Sequence, residues 1–195
     1  QEQIMAQPGV RDNWLVIGQQ SGTEEQLTYR RTWLRGETTG RCALLLDFAY
    51  GRQGFDAQWV VGSVLQGELI FYPGTTGQRA RFRQQTPSRA PYESPPGYPD
   101  LTAAGVDYAK ALAASPWLNG FPLLLEEITP LFREEAEGSG WIVDQRRQLM
   151  PLARTDQVWP LLAHSGGRPI TVFGEYNGET FSPLSVITEG RVFAL

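Results

Sequence analysis

One cysteine, one histidine and one lysine are all that the 195 residues hold of those three types, and each scarcity removes a class of chemistry. With Cys42 alone no intrachain disulfide can form, which agrees with a reducing, cytoplasmic setting. A structural zinc site takes four Cys or His ligands, so Cys42 and His164 cannot close one, and neither a metal nor a cofactor is expected. A phosphate-binding loop needs its lysine directly after a glycine turn, whereas Lys110 falls inside a predicted helix. No G-x-S-x-G elbow occurs; the nearest runs, Gly62-Ser63-Val64 and Gly138-Ser139-Gly140, lack its spacing. No D-x-D or EF-hand loop offers an oxygen cage for calcium or magnesium. Long apolar runs are missing too. Residues 43–49 and 60–72 are broken by Asp47, Gln66 and Glu68, far short of the ~20 apolar residues of a membrane span. A soluble chain with no membrane partner is expected. Residues 1–10 carry no basic region ahead of an apolar run, so they do not read as a signal peptide. The missing initiator Met points to a processed chain or a fragment of a longer protein.

Core-forming residues are present in ordinary amounts. Hydrophobic residues make up 41%, with six Trp, seven Tyr and nine Phe, enough to pack one domain or two small lobes. The net charge of −4 is uneven. Residues 1–89 carry ten basic and eight acidic side chains, and residues 90–195 carry seven and thirteen. Neither half has the basic footprint of a nucleic-acid domain, which argues against nucleic acid as a partner of this chain alone. Apart from Lys110 every basic residue is Arg, the side chain suited to planar, bidentate pairing with carboxylates.

Along the chain, strand patterns dominate the first half. WLVIG (14–18) reads as a strand, 21–26 as a polar loop, and 27–35 as an alternating strand closed by the turn Gly36-Glu37-Thr38-Thr39-Gly40. CALLLDFA (42–49) is a nearly continuous apolar strand. Residues 59–72 and 78–85 complete an expected antiparallel meander of about five strands. Five prolines between 86 and 99 mark a loop or junction. Asp100 is the expected N-cap of a helix to about 114, with Leu101, Ala104, Tyr108 and Leu112 on one stripe. FPLLLEEITPLFREEA (121–136) reads as helical, kinked or split at Pro130. Residues 141–143 and 149–152 suggest a hairpin, and 156–163 a short helix capped by Thr155 or Asp156. Residues 170–176 form a strand, Asn177-Gly178 a hairpin turn, and 180–188 and 191–195 the closing strands.

These patterns give an α+β fold, mainly antiparallel β-sheet with a few short helices inserted in the second half. The expected organisation is a β-rich lobe over 1–87, a Pro-rich junction over 88–99, and an α+β lobe over 100–195 ending in a β-hairpin meander.

No residue is assigned a catalytic or metal-binding role. His164 sits at a predicted helix C-terminus, where a cation suits the helix dipole. Cys42 lies within an apolar strand and reads as a small buried hydrophobe. The neighbouring carboxylates Glu126-Glu127 and Glu134-Glu135 do not face each other at i,i+1, so they read as a solvated helix face. The one candidate contact row is Arg79, Arg81 and Arg83, alternate residues on one strand face that suit a polyanion or a protein partner. The plainer reading is an edge strand kept soluble by charge.

Three segments, RRTWLRGETTGRCALLLDFAYG (30–51), ELIFYPG (68–74) and VFGEYNGETFSPLSV (172–186), together resemble the C-terminal region of bacterial SWIM zinc-finger family proteins. In that family an upstream segment carries the C-x-C…C-x-H zinc ligands, which are absent here. The resemblance implies a region that follows the zinc module, and it carries no ligand or catalytic residue onto this chain. The expected role is a non-enzymatic accessory module that binds a protein partner. The alternatives are a small-molecule-binding or hydrolytic enzyme using scattered carboxylates, and a weak nucleic-acid-binding module.

Overall fold

Turns rich in glycine, proline and asparagine separate eleven strands and two helices among the described residues of this computed structural model. Those residues are 7–51, 53–74, 78–88, 92–93, 96–134 and 139–195. The chain divides into two units, Gln1–Pro95 and Pro96–Leu195.

The first unit contains β1 (Val10–Glu24), β2 (Leu27–Gly36), β3 (Cys42–Tyr50), β4 (Val64–Phe71) and β5 (Ala80–Ser88). They form one antiparallel sheet in the order β3-β2-β1-β4-β5. This is not the expected meander, because β4 leaves β3 and pairs with β1. The physical reason is the length of β1, whose first part pairs with β4 (Val10–Leu15) while its later part pairs with β2 (Trp14–Glu24). A bulge between Val16 and Gly18 bends it at the changeover. The polar stretch 21–26, expected as a loop, is also mostly strand. Its residues are largely exposed, yet the ladder to β2 holds as far as Glu24↔Leu27, leaving only Glu25 and Gln26 to turn. At the ends of the sheet, β3 and β5 meet through one parallel bridge, Leu44↔Arg79, where the Leu44 N–H donates to the Gln78 carbonyl at 2.7 Å. The sheet therefore curls into a partly open, five-stranded Greek-key barrel with the connectivity of the OB type. Trp14, Val16, Leu34, Leu45, Leu65 and Leu69 fill it.

The second unit repeats that connectivity. It contains β6 (Phe121–Arg133), β7 (Ser139–Val143), β8 (Leu149–Pro151), β9 (Ile170–Tyr176), β10 (Phe181–Thr188) and β11 (Arg191–Ala194), in the order β11-β10-β9-β6-β7-β8. Leu152, just after β8, makes a parallel bridge with Phe181 of β10, so the third and fifth strands again meet. The first strand again serves two ladders: β6 pairs with β9 through Phe121–Ile128 and with β7 from Thr129. A helix, α2 (Val158–Ser165), connects the third and fourth strands and buries Val158 and Leu161 in the core. The other helix, α1 (Leu101–Ala114), precedes the barrel.

Residues 121–133 thus form a central strand, correcting the helical expectation. Leu123, Leu124 and Leu125 are buried in succession, as a strand covered on both faces requires. Glu126 and Glu127 form a bulge between Leu125 and Ile128, with Glu127 at φ 53°. Tyr98 pairs beside it, its N–H donating to Leu124 O at 2.7 Å and its carbonyl accepting from Glu126 N–H at 3.0 Å. Pro130 falls after Ile128↔Ile170, where β6 has lost β9 as a neighbour, so its missing N–H breaks no rung there. The helix expected over 156–163 begins instead as a 3-10 turn, Thr155–Gln157. Neither Thr155 nor Asp156 caps α2: the Asp156 carboxylate pairs with the Arg154 guanidinium at 2.6 Å.

Two glycines occupy matching places. Gly67 on β4 and Gly174 on β9 each lie in the fourth strand of a barrel. A Cβ on Gly67 would meet the Gln84 carbonyl at 2.6 Å and the Phe82 ring, and one on Gly174 would meet the Ser182 carbonyl and the Phe181 ring. The fifth strand is bulged near this contact in both barrels, at Arg83 and at Leu184.

Single carboxylates hold the turns. Asp100 caps α1 by accepting from Ala103 N–H at 2.8 Å. Asp12 is buried, and its oxygens accept from the N–H groups of Asn13, Thr38 and Thr39 and from the Thr39 hydroxyl at 2.8–3.0 Å. Burial alone raises its pKa, but these donors outweigh it and leave the carboxyl below its ordinary 3.8.

Two outcomes follow for stability. Gly67→Ala and Gly174→Ala should each cost about 1–3 kcal/mol by overpacking, whereas Gly54→Ala, with nothing within 4 Å, should leave urea midpoints unchanged. Because the Asp12 carboxyl titrates lower folded than unfolded, its stabilisation is complete above about pH 4 and is lost as acid protonates it. Asp12→Asn should therefore lower stability at pH 7 by about 1–2 kcal/mol and flatten the acid side of a stability-against-pH curve. An acid limb equally steep in wild type and variant would refute that assignment.

Candidate binding cleft in the first barrel

Beyond the bridge at Leu44 and Arg79, β3 and β5 do not pair, and a cleft of about 500 Å³ lies between them. Alternation on the two strands sets its walls. Leu46 and Phe48 project from β3, and Phe48 is 54% exposed. Arg79 and Arg81, both exposed, line the β5 side, with Tyr72 beside Arg79. The Arg79 guanidinium stacks 4.8 Å from the Tyr72 ring centroid. Arg81 makes no ion pair among the described residues. Phe82 and Trp59 floor the cleft, their ring centroids 5.8 Å apart.

Trp59 belongs to the loop between β3 and β4, and a part-buried charge network fixes it. Asp47 Oδ2 accepts from Trp59 Nε1 at 2.8 Å and from Arg30 Nε and Nη2 at 3.1 and 2.7 Å. Arg30 is only 5% exposed, donates also to the Ala57 carbonyl at 2.6 Å, and lies over the Phe55 ring. One guanidinium thus ties β2, β3 and the loop together. Asp56 adds an exposed carboxylate to the cleft wall.

The structure divides the three candidate arginines. Arg79 and Arg81 share the cleft. Arg83 occupies the β5 bulge, which breaks the alternation that the row assumed. Its guanidinium donates to Glu68 at 2.5 Å and to the Gln7 carbonyl at 2.7 Å. A separate recess of about 580 Å³, lined by Arg11, Gln66, Glu68, Gln84 and neighbours, has no aromatic wall.

The rarer groups are used elsewhere. The His164 ring, in the last turn of α2, lies 5.3 Å from that of Phe193. Lys110 pairs with Asp107 on α1 at 2.8 Å. Burial pushes the Cys42 thiol up, and the Arg35 guanidinium, 3.6 Å away, pulls it less strongly the other way. Glu126 accepts from Gly97 N–H at 2.6 Å within its bulge. Glu134 is exposed beyond β6, while Glu135 and Gly138 lie outside the described residues. No group of three or more His, Cys, Asp or Glu among the described residues is placed to hold a metal. No helix among them is long and apolar enough to cross a membrane.

Comparison with family models, curated proteins and solved structures finds no match to this chain.

Sequence reading reached Arg79 and Arg81 through strand alternation but missed Phe48, Trp59 and the Arg30–Asp47 pair. Arg30 and Asp47 occupy register partners on adjacent strands, a signal available only once the hairpin register is known. Asp47→Asn should lower stability by about 2 kcal/mol, between the values for exposed and fully buried pairs, and should shift tryptophan emission as Trp59 loses its acceptor. An unchanged emission spectrum would show that Asp47 does not hold the cleft floor.

Proposed function

We propose that the chain is a non-enzymatic accessory module that recognises a protein partner, within a larger, cytoplasmic bacterial protein of the SWIM type. The observation that carries this reading is the open cleft of the first barrel, where exposed Arg79, Arg81 and Phe48 stand around a fixed aromatic floor. Exposed arginine and aromatic side chains on a rigid scaffold are the usual anchors of recognition surfaces. The carboxylates of Asp12 and Asp144, both buried, and of the partly exposed Asp47 are committed to holding turns and loops, a structural use that favours recognition over turnover. The segments that carry the SWIM resemblance fold as β2–β3, β4 and β9–β10.

A second reading, single-stranded nucleic acid, draws support from the same stacking surface on an OB-type barrel. Affinity capture by the full-length protein in its native cell separates the two. Arg79→Glu/Arg81→Glu should reduce the captured protein partner about tenfold, the loss expected for one or two charge-assisted contacts. Partners retained at wild-type level would defeat the protein-recognition reading. Salt-sensitive binding to generic oligonucleotides, abolished by the same variant, would favour nucleic acid.

A further inference from the structure

The cleft offers strand edges as well as side chains. β3 and β5 are the two ends of the sheet order. Among the described residues they share only the Leu44↔Arg79 bridge, and no second rung joins Leu46 and Phe48 to Arg81 and Phe82. Two strand edges that pair at one point and border an open cleft beyond it offer a slot into which a further strand can pair, the geometry of β-augmentation.

The two faces of the slot differ chemically. Outward, Arg79, just before β5, and Arg81 within it stand two residues apart, the repeat at which side chains of an added strand also recur. Inward lie the Trp59 and Phe82 rings. We infer that the slot takes an extended peptide segment alternating acidic and apolar residues, acidic side chains meeting Arg79 and Arg81 and apolar ones covering the aromatic floor. This deepens the protein-recognition reading and rests on it.

Charge separates a peptide from a nucleic acid here. The Asp56 carboxylate is exposed in the same cleft, and the chain carries net charge −4. A phosphate backbone gains affinity by spreading many charges over many cations. A peptide needs only the two guanidiniums, and its backbone N–H groups can face acceptors on the strand edges.

The test is fluorescence anisotropy on the whole chain. The probe is a labelled peptide alternating glutamate and valine, about eight residues long to match a strand. Controls are the same peptide N-methylated at alternate residues, a lysine-for-glutamate version, and oligothymidylate. Saturable binding of the glutamate–valine peptide is expected. It should weaken at least about tenfold on N-methylation, which removes ladder donors, and likewise with Arg81→Glu. Arg81 is exposed, so that variant should keep the wild-type circular dichroism, and the N-methylated arm leaves the protein unaltered. Equal binding of the N-methylated peptide, preference for oligothymidylate, or no peptide binding would each overturn the inference. If the peptide fails while Arg79→Glu/Arg81→Glu still abolishes partner capture, only the strand-addition inference falls and the recognition reading stands.

Discussion

A five-stranded sheet closes on itself only if it bends sharply, and in both units the first strand carries a bulge where it passes from one neighbour to the other. β1 changes partner around Val16–Gly18 and β6 around Leu125–Ile128. Without that bend the chain would give an open sheet with two long free edges, a surface that natural proteins avoid. With it, the third strand comes round to the fifth and the apolar face is enclosed. The fourth-strand glycine and the fifth-strand bulge serve the same closure, since they let backbone pass close to backbone where the sheet curves most tightly.

Closure in the first barrel is incomplete, and the Arg30–Asp47 pair determines what that gap becomes. An unfilled opening would admit water to the barrel interior. Instead the loop between β3 and β4 is drawn across it, because Arg30 holds Ala57 and Phe55 while Asp47 holds Trp59. With Arg30 buried and Asp47 partly exposed, the pair is a poor source of net stability, since desolvating the charges offsets much of their attraction. Its value here is positional: it converts a defect in the barrel wall into a recess with an ordered floor. In the second unit α2 fills the corresponding connection, and Val158 and Leu161 enter the core instead.

Much of the strand pattern is legible in the sequence because alternation and turn residues act locally. β2, β3, the β7–β8 hairpin, β9 and β10 follow from those signals alone. Residues 121–133 mislead because three consecutive leucines followed by two glutamates suit a helix as well as a doubly covered strand. Only the neighbouring ladders decide, and they lie far away in sequence. The likeness of the two barrels is hidden for a related reason: what they share is connectivity, bulges and one glycine, while nearly every side chain differs. The cleft was half visible. Arg79 and Arg81 follow from alternation, but the gap beside them depends on where β3 stops pairing, which no local pattern encodes.

The Asp144 carboxylate has a wider reach than its size suggests. One oxygen accepts from the Leu101 N–H at the start of α1, and the other from the N–H groups of Arg146 and Gln148 in the β7–β8 turn. α1 has no acidic residue in its first turn and no basic residue in its last, so beyond the Asp100 cap its own charges add little at either end. Thr102 also bonds Gln148 at 2.9 Å and Asp100 pairs with Arg146 at 3.2 Å, so helix and hairpin are joined into a single cooperative segment with Asp144 at its centre. Protons on their amides would exchange with solvent in step, and loosening of the turn would be felt at the helix before the barrel core gave way.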